Sequence, residues 1–184
     1  MKTTYKLKVA GLERDLEICK LADDLYIAAF IIFGDVELTC ACAGELLKIA
    51  PPHDIMITAE AKSIPLIHEM ARQSGQNSYI VARKAAKLYM KDPITVEVQS
   101  ITTAKKQTLC IDASDATKLK GKRVLILDDV ISTGESLRAV EKLVKQAGGA
   151  VAGRMAILAE GDAKYRDDIL YLEELPLLRE GDIQ

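Results

Sequence analysis

The apolar positions of this 184-residue chain follow two rhythms whose alternation outlines a fold. Val124 to Leu127 are continuously apolar, the pattern of a strand buried on both faces of a parallel sheet. Asp54 to Ala59, Ser78 to Ala82 and Val151 to Leu158 read as further core strands, with Ile169 to Leu172 as a short last one. Between them the spacing becomes helical. Ile64 to Ser74 is amphipathic and exits through Gly75 to Asn77, and Glu135 to Gly149 sets Leu137, Val140, Val144 and Ala147 on one face. A further helix is predicted from Val36 to Ala50, stopped by Pro51 and Pro52. Strand and helix in turn imply an α/β fold, a central mostly parallel sheet flanked by helices and joined by right-handed crossovers.

Other stretches leave that rhythm. Leu7 to Leu16 alternates weakly, as an edge strand or a hairpin would, and Leu25 to Phe33 is strongly apolar. Thr95 to Gln99 and Gln107 to Ile111 read as two strands around a polar bend, Ser100 to Lys106, and Lys120 with Gly121 turns the chain into the Val124 strand.

The length suits one sizeable core and is short for two ordinary catalytic domains, so a single domain over 1–184 is expected. The formal charge is −2 with acids and bases mixed, which argues against a nucleic-acid surface. The N-terminus has no apolar signal core, and Leu25 to Phe33 is too short to cross a membrane. Cys19, Cys40, Cys42 and Cys110 lack paired C-x-x-C spacing, and reduced thiols in the cytoplasm are the expectation.

Candidate chemistry concentrates at three turns. Asp128 and Asp129 end the Val124 strand, where open α/β sheets bind ligands. The turn Val130 to Gly134, with Ile131, Ser132 and Thr133 inside it, then leads through Glu135 and Ser136 into a helix whose first N–H groups form an anion site. Adjacent carboxylates repel phosphate but accept hydrogen bonds from sugar hydroxyls or help hold a magnesium ion that phosphates carry. A polar turn capping a helix is the alternative. Thr58 to Ser63, with Glu60, Ala61 and Lys62, is a second strand-to-helix turn, either an N-cap or a diphosphate cradle. Arg83, Lys84 and Lys87 follow the next strand, as edge decoration or as cations for a polyphosphate.

The run VLILDDVISTGES resembles the phosphoribosyl diphosphate signature of the type I phosphoribosyltransferases, purine branch, through Asp128, Asp129, Thr133 and Gly134. The resemblance covers roughly residues 50 to 178. It implies a small N-terminal hood at about 1–35, a mobile flap at about 88–112 and a homodimer. It further implies that Glu60, Ala61 and Lys62 lie in the diphosphate loop and that Arg83 and Lys84 stand beside the diphosphate. Ser100, Thr102, Thr103, Lys105 and Lys106 would close from the flap, and Ile131 to Ser136 would hold the 5′-phosphate. Asp128 and Asp129 would hold ribose and Mg2+, with Asp129 assisting proton transfer at the purine. Phe30 and Phe33, Val130, and the stretches around Leu158 to Asp162 and Leu175 to Leu177 would bound the base. Many adenine-specific relatives have Arg-Gly where this chain has Lys62-Ser63, and the flap looks more like that of xanthine transferases. Adenine is the expected substrate, with xanthine or guanine next; a regulator that senses phosphoribosyl diphosphate without turnover is a further class.

Overall fold

The computed structural model describes residues 2–99 and 106–183. β1 (Thr4–Val9) and β2 (Leu12–Ala22) are joined through Ala10 and Gly11, both at positive φ. That two-residue loop makes the weakly alternating stretch a hairpin. β3 (Leu25–Ala28) follows, then α1 (Val36–Ile49), β4 (Ile55–Ala59), α2 (Ile64–Gln73) and β5 (Ile80–Ala82). β6 (Ile94–Gln99) and β7 (Lys106–Ile111) pair antiparallel on their own. α3 (Ala113–Leu119) leads into β8 (Arg123–Ile131), α4 (Glu135–Gln146), β9 (Ala150–Glu160), β10 (Leu170–Leu175) and β11 (Leu177–Leu178).

The central sheet has the order β10-β9-β8-β4-β5, parallel throughout. Its strands feed two cores because successive side chains point to opposite faces. Val124 and Ile126 of β8 pack with α3, α4 and the inner side of the β6–β7 hairpin, through Leu119, Leu143 and Leu109. Leu125 and Leu127 pack on the other face with α1, α2 and the hood, through Leu46, Leu66 and Leu7. The hood is a second, antiparallel sheet of order β1-β2-β3-β11, closed by the chain's last strand. Arg14 of β2 fastens it to α1 by a two-pronged bond to Asp35, at 2.6 and 3.1 Å. Asp35 in turn accepts the Leu38 amide as the helix N-cap, at 3.0 Å. The Arg14 guanidinium, working against burial, holds the Asp35 carboxyl below the usual carboxylate range.

Several boundaries differ from the sequence reading. The Val124 strand continues through Asp128 and Asp129 to Ile131, because β9 goes on pairing with it after β4 has ended: Asp128 faces Ala156 and Ile131 faces Ala159. The acids therefore lie within the strand, and the turn shrinks to Ser132–Gly134. The Leu25 stretch is a strand only to Ala28; Phe30 is buried in the core while Phe33 is half exposed. α3, a seven-residue helix, was missed between the hairpin and β8; Asp112 caps it, accepting the Ser114 amide at 2.7 Å. α4 stops at Gln146, where Gly148 takes a positive φ and the Gly149 amide reaches back to Val144.

Candidate active site

β8 outruns β4, and the step between their ends opens the crevice. β4 pairs with β8 only as far as Thr58 opposite Leu127, and beyond that point the chain turns through Glu60–Ser63 into α2. A cavity of about 550 Å³ lies between this turn and the acid pair. Glu60, Ala61, Lys62 and Lys84 line it from one side, and Asp128, Asp129, Val130 and Ser136 from the other. A smaller hollow of about 120 Å³ continues from Asp128 around Ile131, Ser132, Thr133, Gly134, Glu135 and Ser136. The two share Asp128, Val130 and Ser136, so the acids stand at the junction of a large chamber and a small cradle.

The cradle is the start of α4. Gly134 occupies its N-cap at φ +74° and offers no side-chain acceptor, which leaves first-turn amides to an anion. A side chain at 134 would collide with the Arg166 guanidinium, which reaches the turn from the segment between β9 and β10. Arg166 is itself held by Asp168 at 2.8 and 2.9 Å, and Arg138 donates to the Thr133 carbonyl at 3.3 Å. Two guanidinium groups thus border the cradle, neither of them noticed in the sequence. Arg166 is brought there by topology, so no local signal could have marked it.

The acid pair is buried and polarised. Asp129 is 3 % exposed and Asp128 is half-buried. Burial first, and the Asp129 charge second, push the Asp128 carboxyl well above the usual carboxylate range. The Lys62 ammonium lies 3.3 Å from Asp129 Oδ2, an oxygen that is buried without an aligned hydrogen-bond donor. Ser63 donates to Asp128 Oδ1 at 2.7 Å and lies 3.2 Å from Asp129 Oδ1. Its signal in the sequence was a serine at a helix start, which reads as an ordinary cap.

Across the cavity from the acid pair, Glu60 organises the neighbouring cations. Its Oε1 accepts the Lys84 amide at 2.7 Å, and its Oε2 lies 2.6 Å from Arg83 Nε. Burial opposes ionisation of Glu60, yet the Lys84 amide and the Arg83 and Lys87 charges bring its carboxyl below the ordinary value. The Glu60–Ala61 peptide is cis. Arg83 and Lys87 do not line the large cavity. Ser100, Thr102, Thr103 and Lys105 lie outside the described residues, and Lys106 enters only as the first backbone position of β7.

Two anion-receptive turns with a carboxylate pair between them suit a ligand with phosphate at both ends and a diol in the middle. Residues 52–175 match the family described as Phosphoribosyl transferase domain. The chain belongs to that family. Among its relatives, an adenine phosphoribosyltransferase of Cenarchaeum symbiosum is 35% identical over 131 residues, 70% of this chain and 73% of that protein. An adenine phosphoribosyltransferase of Rhodococcus jostii is 30% identical over 127 residues, 69% of each. A hypoxanthine/guanine phosphoribosyltransferase of Methanotorris igneus is 32% identical over 111 residues, 60% of this chain and 56% of the relative. The fold is shared with the solved adenine phosphoribosyltransferase of Thermoanaerobacter pseudethanolicus (TM-score 0.63, 24% identity, 78% of this chain and 84% of that one). It is also shared with that of Giardia lamblia complexed with 9-deazaadenine (TM-score 0.65, 20% identity, 78% and 82%). The chain is thus a type I phosphoribosyltransferase, an enzyme that moves a phosphoribosyl group from phosphoribosyl diphosphate to a purine base. No helix among the described residues is long and apolar enough to cross a membrane.

Proposed function

We propose that this phosphoribosyltransferase acts on adenine, giving AMP and diphosphate, and that it works as a cytoplasmic homodimer. The reading rests on the acid pair Asp128–Asp129 standing between the turn that opens α2 and the turn that opens α4. Adenine is supported by the two relatives named for it, each matched over more than two thirds of both chains.

In this reading the α4 cradle holds the 5′-phosphate through backbone amides of Gly134, Glu135 and Ser136, with the Ser132, Thr133 and Ser136 hydroxyls beside it. Asp128 and Asp129 accept the ribose hydroxyls. Glu60 keeps Arg83 and the Lys84 backbone in place beside the leaving diphosphate, with Lys84 and Lys62 adding charge from the cavity wall. A base nitrogen attacks the anomeric carbon as the carbon–oxygen bond to diphosphate breaks and the electron pair leaves with that oxygen. The ring gains positive character, which two fixed carboxylates stabilise more in the transition state than in the ground state. The buried Asp129 takes the proton that the purine loses.

Among the described residues no cluster of three or more His, Cys, Asp or Glu forms a metal cage. The donor set fits instead a Mg2+ ion held mainly by ligand oxygens, with Asp128 and the Asp129 Oδ2 that lacks a hydrogen-bond donor as the protein's acceptors. Bound there, Mg2+ would neutralise charge on the departing diphosphate.

Diphosphate release, measured with adenine, guanine, hypoxanthine and xanthine in the presence of phosphoribosyl diphosphate and Mg2+, tests the proposal. The highest kcat/KM is expected for adenine. A preference for hypoxanthine or guanine would support the second reading, which the Methanotorris relative favours, and would reject adenine.

A further inference from the structure

Ser63 sits at the N-cap of α2, where a serine ordinarily turns its oxygen back to accept a first-turn amide. It makes no such bond, and Pro65 in that first turn has no N–H to offer. The hydroxyl turns to β8 instead. It donates to Asp128 Oδ1 at 2.7 Å, lies 3.2 Å from Asp129 Oδ1, and accepts the Asp129 amide at 2.9 Å. Ser63 is 1% exposed, so water does not compete for these bonds. Asp128 Oδ1 also receives the Asp129 amide at 3.0 Å. Both inward bonds end on one oxygen, which leaves Oδ2 as the acceptor for a ligand hydroxyl. Lys62 is held less firmly: its side chain is half exposed and can leave Asp129 when a ligand arrives.

We infer that the Ser63 hydroxyl is a positioning residue of this site, tying the turn that opens α2 to the acid pair so that Asp128 presents a fixed carboxylate to the ribose. The inference rests on the phosphoribosyl transfer proposed above. Ser63 touches neither sugar nor base; it acts through Asp128. A fixed acceptor matters most where the ring carries its greatest charge, so loss of the hydroxyl falls on kcat more than on ground-state binding.

The test compares the wild-type chain with Ser63→Ala, Asp128→Ala and the double variant. It measures kcat by diphosphate release and the Kd for phosphoribosyl diphosphate with Mg2+ by calorimetry. Ser63→Ala removes one oxygen and is expected to fold, with kcat lowered about tenfold and the Kd changed less than about threefold. In the Asp128→Ala background the same change is expected to cost less than about twofold, because its partner is gone. An unchanged kcat in Ser63→Ala, or an equal loss in both backgrounds, would overturn the positioning role while leaving transfer intact. A wild-type chain that releases no diphosphate with any purine would instead remove the transfer reading, and this role with it.

Discussion

Burial and the neighbouring Asp129 charge raise the Asp128 carboxyl to about 7, so its neutral form is favoured below that pH and its carboxylate above it. A carboxyl raised on folding contributes stability that is present below its unfolded pKa of about 3.9 and is lost as the pH rises through about 7. Asp128→Asn keeps the shape and removes the titration. The wild-type Tm should therefore fall relative to that variant as the pH is raised across this window, and thermal unfolding at a series of pH values checks it; parallel curves would count against the shift. Asp129→Asn is expected to lower kcat about a hundredfold with the fold retained, measured by diphosphate release beside circular dichroism. These two acids were legible because they adjoin each other at a strand end. The Ser63 contact was not, since its partners lie 65 and 66 positions away and its local pattern belongs equally to a helix cap.

Elements were readable to the extent that their own side chains shape them. The two-faced burial of β8 and the single apolar face of α4 follow from residue type alone, whereas the extension of β8 to Ile131 depends on β9 and could not be seen locally. α3 escaped because seven residues with only Ala116 and Leu119 buried give too short a period. α4 is the element on which the cradle depends, and two substitutions probe it separately. Leu143→Ala, at a fully buried position, should cost about 2–5 kcal/mol in urea unfolding. Gly134→Ala must adopt φ +74° and displace the Arg166 guanidinium. It should cost about 1–2 kcal/mol from the backbone alone and weaken binding of phosphoribosyl diphosphate; an Ala variant that binds as well as wild type would show that the turn tolerates a side chain.

At the scale of the whole molecule, the ligand should join parts that the chain keeps separate, since its phosphates and diol would touch the starts of both α2 and α4. Phosphoribosyl diphosphate at about a hundred times its Kd should add about 2.7 kcal/mol of stability, a rise in Tm of about 5–10 °C for a chain of this size, read by differential scanning calorimetry with Mg2+. One edge strand of the central sheet, β5, has only three residues. The amide and carbonyl of Arg83, just beyond it, are paired with those of Cys110 in β7, at 2.8 Å each way. Those two bonds act as a rivet: they occupy backbone groups at the sheet margin that would otherwise invite a strand of another chain, a common route to aggregation.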